Sequence, residues 1–146
     1  MLCVVIGVSD GDTLKVRCES DRAQAGTTAS APFGPPSRAS NRRRRTITVR
    51  LAQIDAPEKR QAFGERSRAN LALLCLRRPA GVRPIGMDVY GRTVATVHCG
   101  GVDASAEQVR AGMAWVYVRG QDASGLHAFE YEARAGRRGL WSDAWP

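Results

Sequence analysis

The dipeptide Asp10-Gly11, set between two runs of alternating apolar residues, limits the folds open to this chain more than any other feature. A two-residue loop of this kind turns a strand back on itself with matching twist. It predicts strands over 2–9 and 12–18, pairing Cys3 with Cys18, Val5 with Val16 and Gly7 with Leu14. Leu14, Val16 and Cys18 then share one face. Directly opposed residues lie about 4.5–5.5 Å apart, within disulfide reach. Cys3 and Cys18 are therefore expected either to bridge, if the compartment is oxidising, or to remain two buried thiols.

Periodicity stops after this hairpin. Residues 19–45 are small, polar and proline-containing and close on the run Arg42 to Arg45, with no period that buries a face. They read as a mobile surface insert, and the arginine run as solvated charge. Alternation resumes from Thr46, where Ile47, Val49 and Leu51 share one side of a third strand. A helix is expected over 62–78, with Ala69, Leu73 and Leu76 at helical spacing and Pro79 stopping it. Strands follow at 81–87 and 92–99, joined by the Tyr90-Gly91 turn.

A second helix is expected to start near Ser105, in a capping box with Gln108, and to end at Gly112. A third is expected over about 124–138. Five short strands with helices after the third and fifth predict an α+β fold, a five-stranded OB-fold β-barrel with three α-helices, forming a single domain over 1–146.

The chain has 146 residues and a net charge of +8, carried by twenty arginines and two lysines, which favours polyanionic partners. No apolar run approaches the roughly 20 residues of a membrane span, and no basic amphipathic helix suggests a membrane surface. Leu2 to Val8 lacks a basic flank and a cleavage site, so it reads as a strand and not as a signal peptide. Cys3, Cys18, Cys75 and Cys99 form no CxxC pair and His98 and His127 have no zinc-like spacing, so a zinc site is not expected.

Three separated segments place charge at turns or strand ends: Asp10-Gly11-Asp12-Thr13, Arg50 to Glu58, and Asp88-Val89-Tyr90-Gly91-Arg92. In a small barrel they can converge. Carboxylates beside a polyanion repel it unless a cation intervenes, and all-oxygen ligation selects Ca²⁺ or Mg²⁺, with Asp12 and Asp55 as the natural ligands. Arg50 and Arg92 offer flat, permanently charged forks suited to phosphate oxygens in a crowded transition state. Glu58 is left to act on water. Singly, each residue has a plainer reading as a turn former or half of a surface ion pair.

These segments resemble the staphylococcal nuclease (thermonuclease) family, as do Val109-Arg110-Ala111-Gly112, Ala114-Trp115-Val116-Tyr117 and Gly139-Leu140-Trp141. The resemblance covers most of the chain outside 19–45. It implies Ca²⁺-dependent hydrolysis of DNA and RNA with little sequence preference, leaving 3′-phosphate ends. Asp12, Asp55 and the Ala56 carbonyl would hold calcium, Glu58 would handle the attacking water, and Arg50 and Arg92 would clamp the phosphate. Tyr90 would contact a phosphate and Trp115, where the family often has tyrosine, would stack a base. Single-stranded or frayed substrates, a monomer, and an extracellular or periplasmic setting are the further expectations.

Two departures stand out, since Ala56 replaces a threonine and Val89 occupies a position that can be basic. Trp141 and Trp145 are expected to pack the C-terminal helix against the barrel. The alternative function is a non-catalytic OB-fold module that binds nucleic acid or protein.

Overall fold

A computed structural model describes residues 1–20, 43–117 and 124–142. Strands β1 (Leu2–Asp10) and β2 (Thr13–Ser20) form the expected hairpin, and β3 (Arg43–Leu51) pairs antiparallel with β2. The two-residue β4 (Ile54–Asp55) follows, then helix α1 (Gly64–Cys75) and strands β5 (Pro79–Met87) and β6 (Thr93–Cys99). β5 pairs with β1 and with β6, and β6 returns to lie parallel with β3 through Val49↔Thr93, Arg50↔Val94 and Leu51↔Ala95. That parallel pairing closes a five-stranded mixed barrel in the order β3-β2-β1-β5-β6, the predicted OB-type architecture.

After β6 come the short β7 (Val102–Asp103), helix α2 (Ala104–Arg110), β8 (Trp115–Val116), helix α3 (Ser124–Ala135) and a 3-10 turn at Gly139–Trp141. β8 pairs with β4, setting Trp115 opposite Asp55. Alternation along the strands turns Val5, Leu14, Val16, Val49, Val82 and Val97 into the barrel, where each is buried; Leu71 of α1 and Val109 of α2 cap that core.

Several expectations change. Cys3↔Cys18 and Val5↔Val16 pair as read, but bulges in β1 shift the register to Gly7↔Lys15 and Val8↔Leu14, replacing the expected Gly7–Leu14 pair. The turn residues are accordingly Gly11 and Asp12, not Asp10 and Gly11. A bulge bends its strand and re-aims the neighbouring residues, here the Asp12 side chain. In α1 the buried face is Gly64, Ser67, Leu71 and Cys75, whereas Ala69, Leu73 and Leu76 face solvent.

Asp103 caps α2 by accepting from the Ala106 N–H, so Ser105 and Gln108 do not form the capping box. Both are instead buried in tertiary hydrogen bonds, Ser105 Oγ donating to the Ala52 carbonyl. The ends of the expected insert are strand, with Glu19 opposite Arg44 and Cys18 opposite Arg45. Residues 21–42, with the rest of that insert and Arg42, lie outside the described residues, as does Trp145. Trp141 lies under the Arg134 guanidinium of α3, 4.2 Å from its ring centre.

Cys3 and Cys18 are bridged, and a second disulfide joins Cys75, at the end of α1, to Cys99, at the end of β6.

Candidate active site

The turn between β1 and β2 is pinned from below. Gln108, fully buried on α2, donates through Nε2 to the Gly11 carbonyl at 2.7 Å and to the Ser67 carbonyl at 3.0 Å, while its Oε1 accepts from Asn70. Ser67 Oγ donates in turn to the Met113 carbonyl. Gly11 is required there, because a Cβ would overlap Ser67 Oγ and Cβ.

From this base Asp12 is held on all sides. Its Oδ1 accepts from Thr13 Oγ1 at 2.9 Å and its Oδ2 from the Ala56 N–H at 2.9 Å. Arg50 reaches it from the neighbouring strand, since Thr13 and Arg50 are register partners. Arg50 lies 3.3 Å from Asp12 Oδ2 through one terminal nitrogen and 3.5 Å from Asp55 Oδ1 through the other. One guanidinium thus sits across two carboxylates.

Burial raises the Asp55 carboxyl above its ordinary pKa; Arg50 pulls it down, and the nearby Asp12 charge pushes it up again. The two acids are close enough to repel. That is the electrostatic setting in which a hard cation is favourable.

Asp12, Asp55 and Ala56 also match such an ion in donor type. Two carboxylates supply hard oxygens, and the Ala56 carbonyl accepts no hydrogen bond among the described residues. Among the described residues no group of three acidic, histidine or cysteine side chains could hold a metal, so water or substrate oxygens would have to complete the shell.

Glu58 follows in the loop after β4. Its backbone is fixed by the Gln61 side chain, which accepts from the Glu58 N–H at 2.7 Å, and by Asp10 Oδ1, which accepts from the Lys59 N–H at 3.2 Å. Asp10 and Asp12 therefore tie this loop to the first turn on both sides of Glu58. The Glu58 side chain is exposed and makes no hydrogen bond or ion pair with the described residues.

The β5–β6 turn supplies the second arginine. Asp88 Oδ1 accepts from the Tyr90 and Arg92 N–H groups at 2.9 Å each, and its Oδ2 accepts from Arg92 Nε at 2.6 Å. Burial works to raise the Asp88 pKa, but the hydrogen bonds from Arg92 and Tyr90 outweigh it and hold the carboxyl below the usual range. With Nε engaged, the terminal nitrogens of Arg92 remain for a ligand. Arg92 also stands 5.5 Å from the centre of the Tyr90 ring.

Arg50, Arg92 and Tyr90 line one groove of about 360 Å³, with Gln53, Ile85 and Tyr117 among its other walls. Asp12, Asp55, Glu58 and Trp115 are not in that lining. Asp12 and Asp55 join it through Arg50, and Trp115 is half-buried beside Asp55. Tyr117 has no assigned part in the sequence reading, although it follows Trp115 by two residues and so lies on the same side of the extended chain. Asp88, open to reading from the sequence as half of a surface ion pair with Arg92, is in the structure the group that orients it.

Residues 48–143 match the family described as staphylococcal nuclease homologue. A micrococcal nuclease of Shigella flexneri is 45% identical, over 68% of this chain and 64% of its own. An uncharacterized endonuclease of Haemophilus influenzae is 35% identical over 97% of this chain and 66% of its own, and one of Escherichia coli O157:H7 is 38% identical over 70% and 68%. The chain thus spans about two thirds of the length of these relatives, and slightly less for the first two.

Proposed function

We propose, for a chain that belongs to the staphylococcal nuclease homologue family, calcium-dependent hydrolysis of phosphodiester bonds in DNA and RNA with little sequence preference, leaving 3′-phosphate ends. One observation carries the reading: Arg50 spans Asp12 and Asp55 and at the same time lines a groove with Arg92. The oxygens offered to the cation thus lie against a guanidinium offered to the phosphate. Asp12, Asp55 and the Ala56 carbonyl would hold Ca²⁺, which when bound supplies Lewis-acid polarisation of the phosphoryl group.

The remaining work belongs to the side chains. Arg50 and Arg92 hold the non-bridging oxygens of the scissile phosphate and take up the charge that grows on them as a fifth oxygen approaches phosphorus. Glu58 aligns a water and accepts its proton as the new P–O bond forms. The bond to the 5′ oxygen breaks, and Arg92 stabilises or protonates that oxygen as it leaves. Asp88 keeps the Arg92 fork turned to the groove, Tyr90 contacts a phosphate, and Trp115 or Tyr117 stacks a base. Contacts to phosphate and to ring faces carry no sequence, which accounts for weak preference and favours unpaired strands.

The test is incubation of purified protein with single-stranded DNA and Ca²⁺, beside the same mixture with chelator and beside Glu58→Gln. Fragmentation in the first tube alone, with 3′-phosphate ends, is expected. Tight binding with no cleavage at any Ca²⁺ concentration would make the domain an OB-fold binding module instead.

A further inference from the structure

Register and burial sort the residues of β2 and β3 onto two faces. Leu14↔Val49 and Val16↔Ile47 point inward, so the alternate pairs Lys15↔Thr48, Arg17↔Thr46 and Glu19↔Arg44 belong to the outer surface, and Thr13↔Arg50, where Thr13 is buried, is the next pair on that side. Arg50 is thus the first member of a row that continues through Thr48 and Thr46 to Arg44, flanked on β2 by Lys15 and Arg17. Six residues at about 3.3 Å each give a track of roughly 20 Å.

Lys15, Arg17 and Arg44 are exposed, and none of their side chains makes a hydrogen bond or ion pair with the described residues. Three cations against the single Glu19 leave this face positive. On the far side of the row, Val4 pairs with Arg17, and Val4, Leu2 and Ile6 are exposed on the same face of β1. Together with Pro79 they form the apolar side of a cavity of about 760 Å³, and Arg17, Glu19 and Arg44 form its charged side.

We infer that this outer face of β1, β2 and β3 is a second nucleic-acid subsite, which carries the single strand away from the scissile phosphate. Phosphates follow Lys15, Arg17 and Arg44, and bases lie toward Leu2, Val4 and Ile6. Continuity argues for a polynucleotide over an acidic protein, because the row begins at Arg50, which already lines the cleavage groove. Charge complementarity and the combination of an apolar floor with a cationic edge suit an unpaired strand, a class of ligand that OB barrels bind along a positively charged groove.

This inference rests on the proposed nuclease reading, and its test separates the two. The triple variant Lys15→Gln, Arg17→Gln, Arg44→Gln is compared with the wild-type protein on a dinucleotide phosphodiester and on an oligothymidylate of about 20 nucleotides, long enough to fill the face. The melting temperatures are matched as a control. Equal hydrolysis of the dinucleotide is expected, together with binding of the long strand at least 10-fold weaker.

The plot of log K against log salt should flatten by about 2, at roughly 0.7 per lost phosphate contact to a single strand. Unchanged long-strand affinity and salt slope would overturn the subsite, as would poly-glutamate binding the wild-type protein more tightly than the oligonucleotide. If the wild-type protein cleaves nothing, the binding arm still decides: a 10-fold loss with the flatter slope keeps the face while the catalytic reading fails.

Discussion

Asp12 and Ala56 stand 44 residues apart and are joined by a 2.9 Å hydrogen bond from the Ala56 N–H to Asp12 Oδ2. The bond fixes the first turn to the loop that carries Asp55 and Glu58, so one carboxylate both organises the site and contributes charge to it. Asp12→Ala should therefore lose structure as well as activity. A buried N–H left without an acceptor costs about 1–3 kcal/mol, readable as a lower midpoint in urea unfolding. Asp12→Asn keeps an acceptor and should unfold closer to wild type, yet lose the stabilisation that added Ca²⁺ is expected to give the wild-type protein.

Gln108 should behave as a positioning residue. Gln108→Leu leaves the Gly11 carbonyl without its donor, and a loss of about 1–3 kcal/mol is expected in the same unfolding assay. Nuclease rate at saturating DNA should fall while long-strand affinity holds, because the phosphate contacts proposed for Arg92 and the outer barrel face are untouched.

Asp55 and Asp88 should give opposite pH signatures. The Asp88 pKa is depressed in the folded protein, so its contribution is present above the ordinary carboxylate range and is lost as pH falls through the folded value. Asp88→Asn should then flatten the acid limb of a melting-temperature profile. The Asp55 pKa is raised, so its contribution is present at low pH and is lost as pH rises through the folded value. In chelator, Asp55→Asn should raise the melting temperature more at pH 7 than at pH 3.5, and with Ca²⁺ restored the variant should show no cleavage.

The two disulfides should account for all four thiols. Denatured, unreduced protein should show no titratable thiol, and reduction should expose four. Cys75→Ser paired with Cys99→Ser should lower stability by about 2–5 kcal/mol, as typical for a native bridge in a small domain.

Much of the fold is open to reading from the residues, and the exceptions have physical causes. Alternation makes the barrel strands legible, and the Asp10-Gly11 signal places Cys3 against Cys18. The β1 bulges escape because each adds one residue without disturbing the apolar pattern of β2. The inner face of α1 escapes because it is built on Gly64, Ser67 and Cys75 around a single Leu71, residues whose burial follows from close approach, hydrogen bonding and a disulfide.

Ser105 and Gln108 match a capping box by spacing, yet tertiary acceptors on Ala52 and Gly11 claim their side chains. Cys75 with Cys99 is one of several possible pairings until the fold brings α1 to β6. In the site, convergence of the segments that carry Asp12, Arg50 and Asp55 is expected from the sequence, but the ion pairs of Arg50 with both carboxylates are not. The part of Asp88 is hidden, because its partner Arg92 can be read equally well as half of a surface pair.

The proposed catalysis turns on Arg50 and Arg92 acting on the phosphate, and single-turnover cleavage of a dinucleotide phosphodiester by Arg50→Ala and Arg92→Ala at saturating Ca²⁺ tests this most directly. Each rate should drop by about 10²-fold or more, the scale of losing one donor to a developing oxyanion, with the folded barrel retained by circular dichroism. Rates within a few fold of wild type for both variants would contradict it.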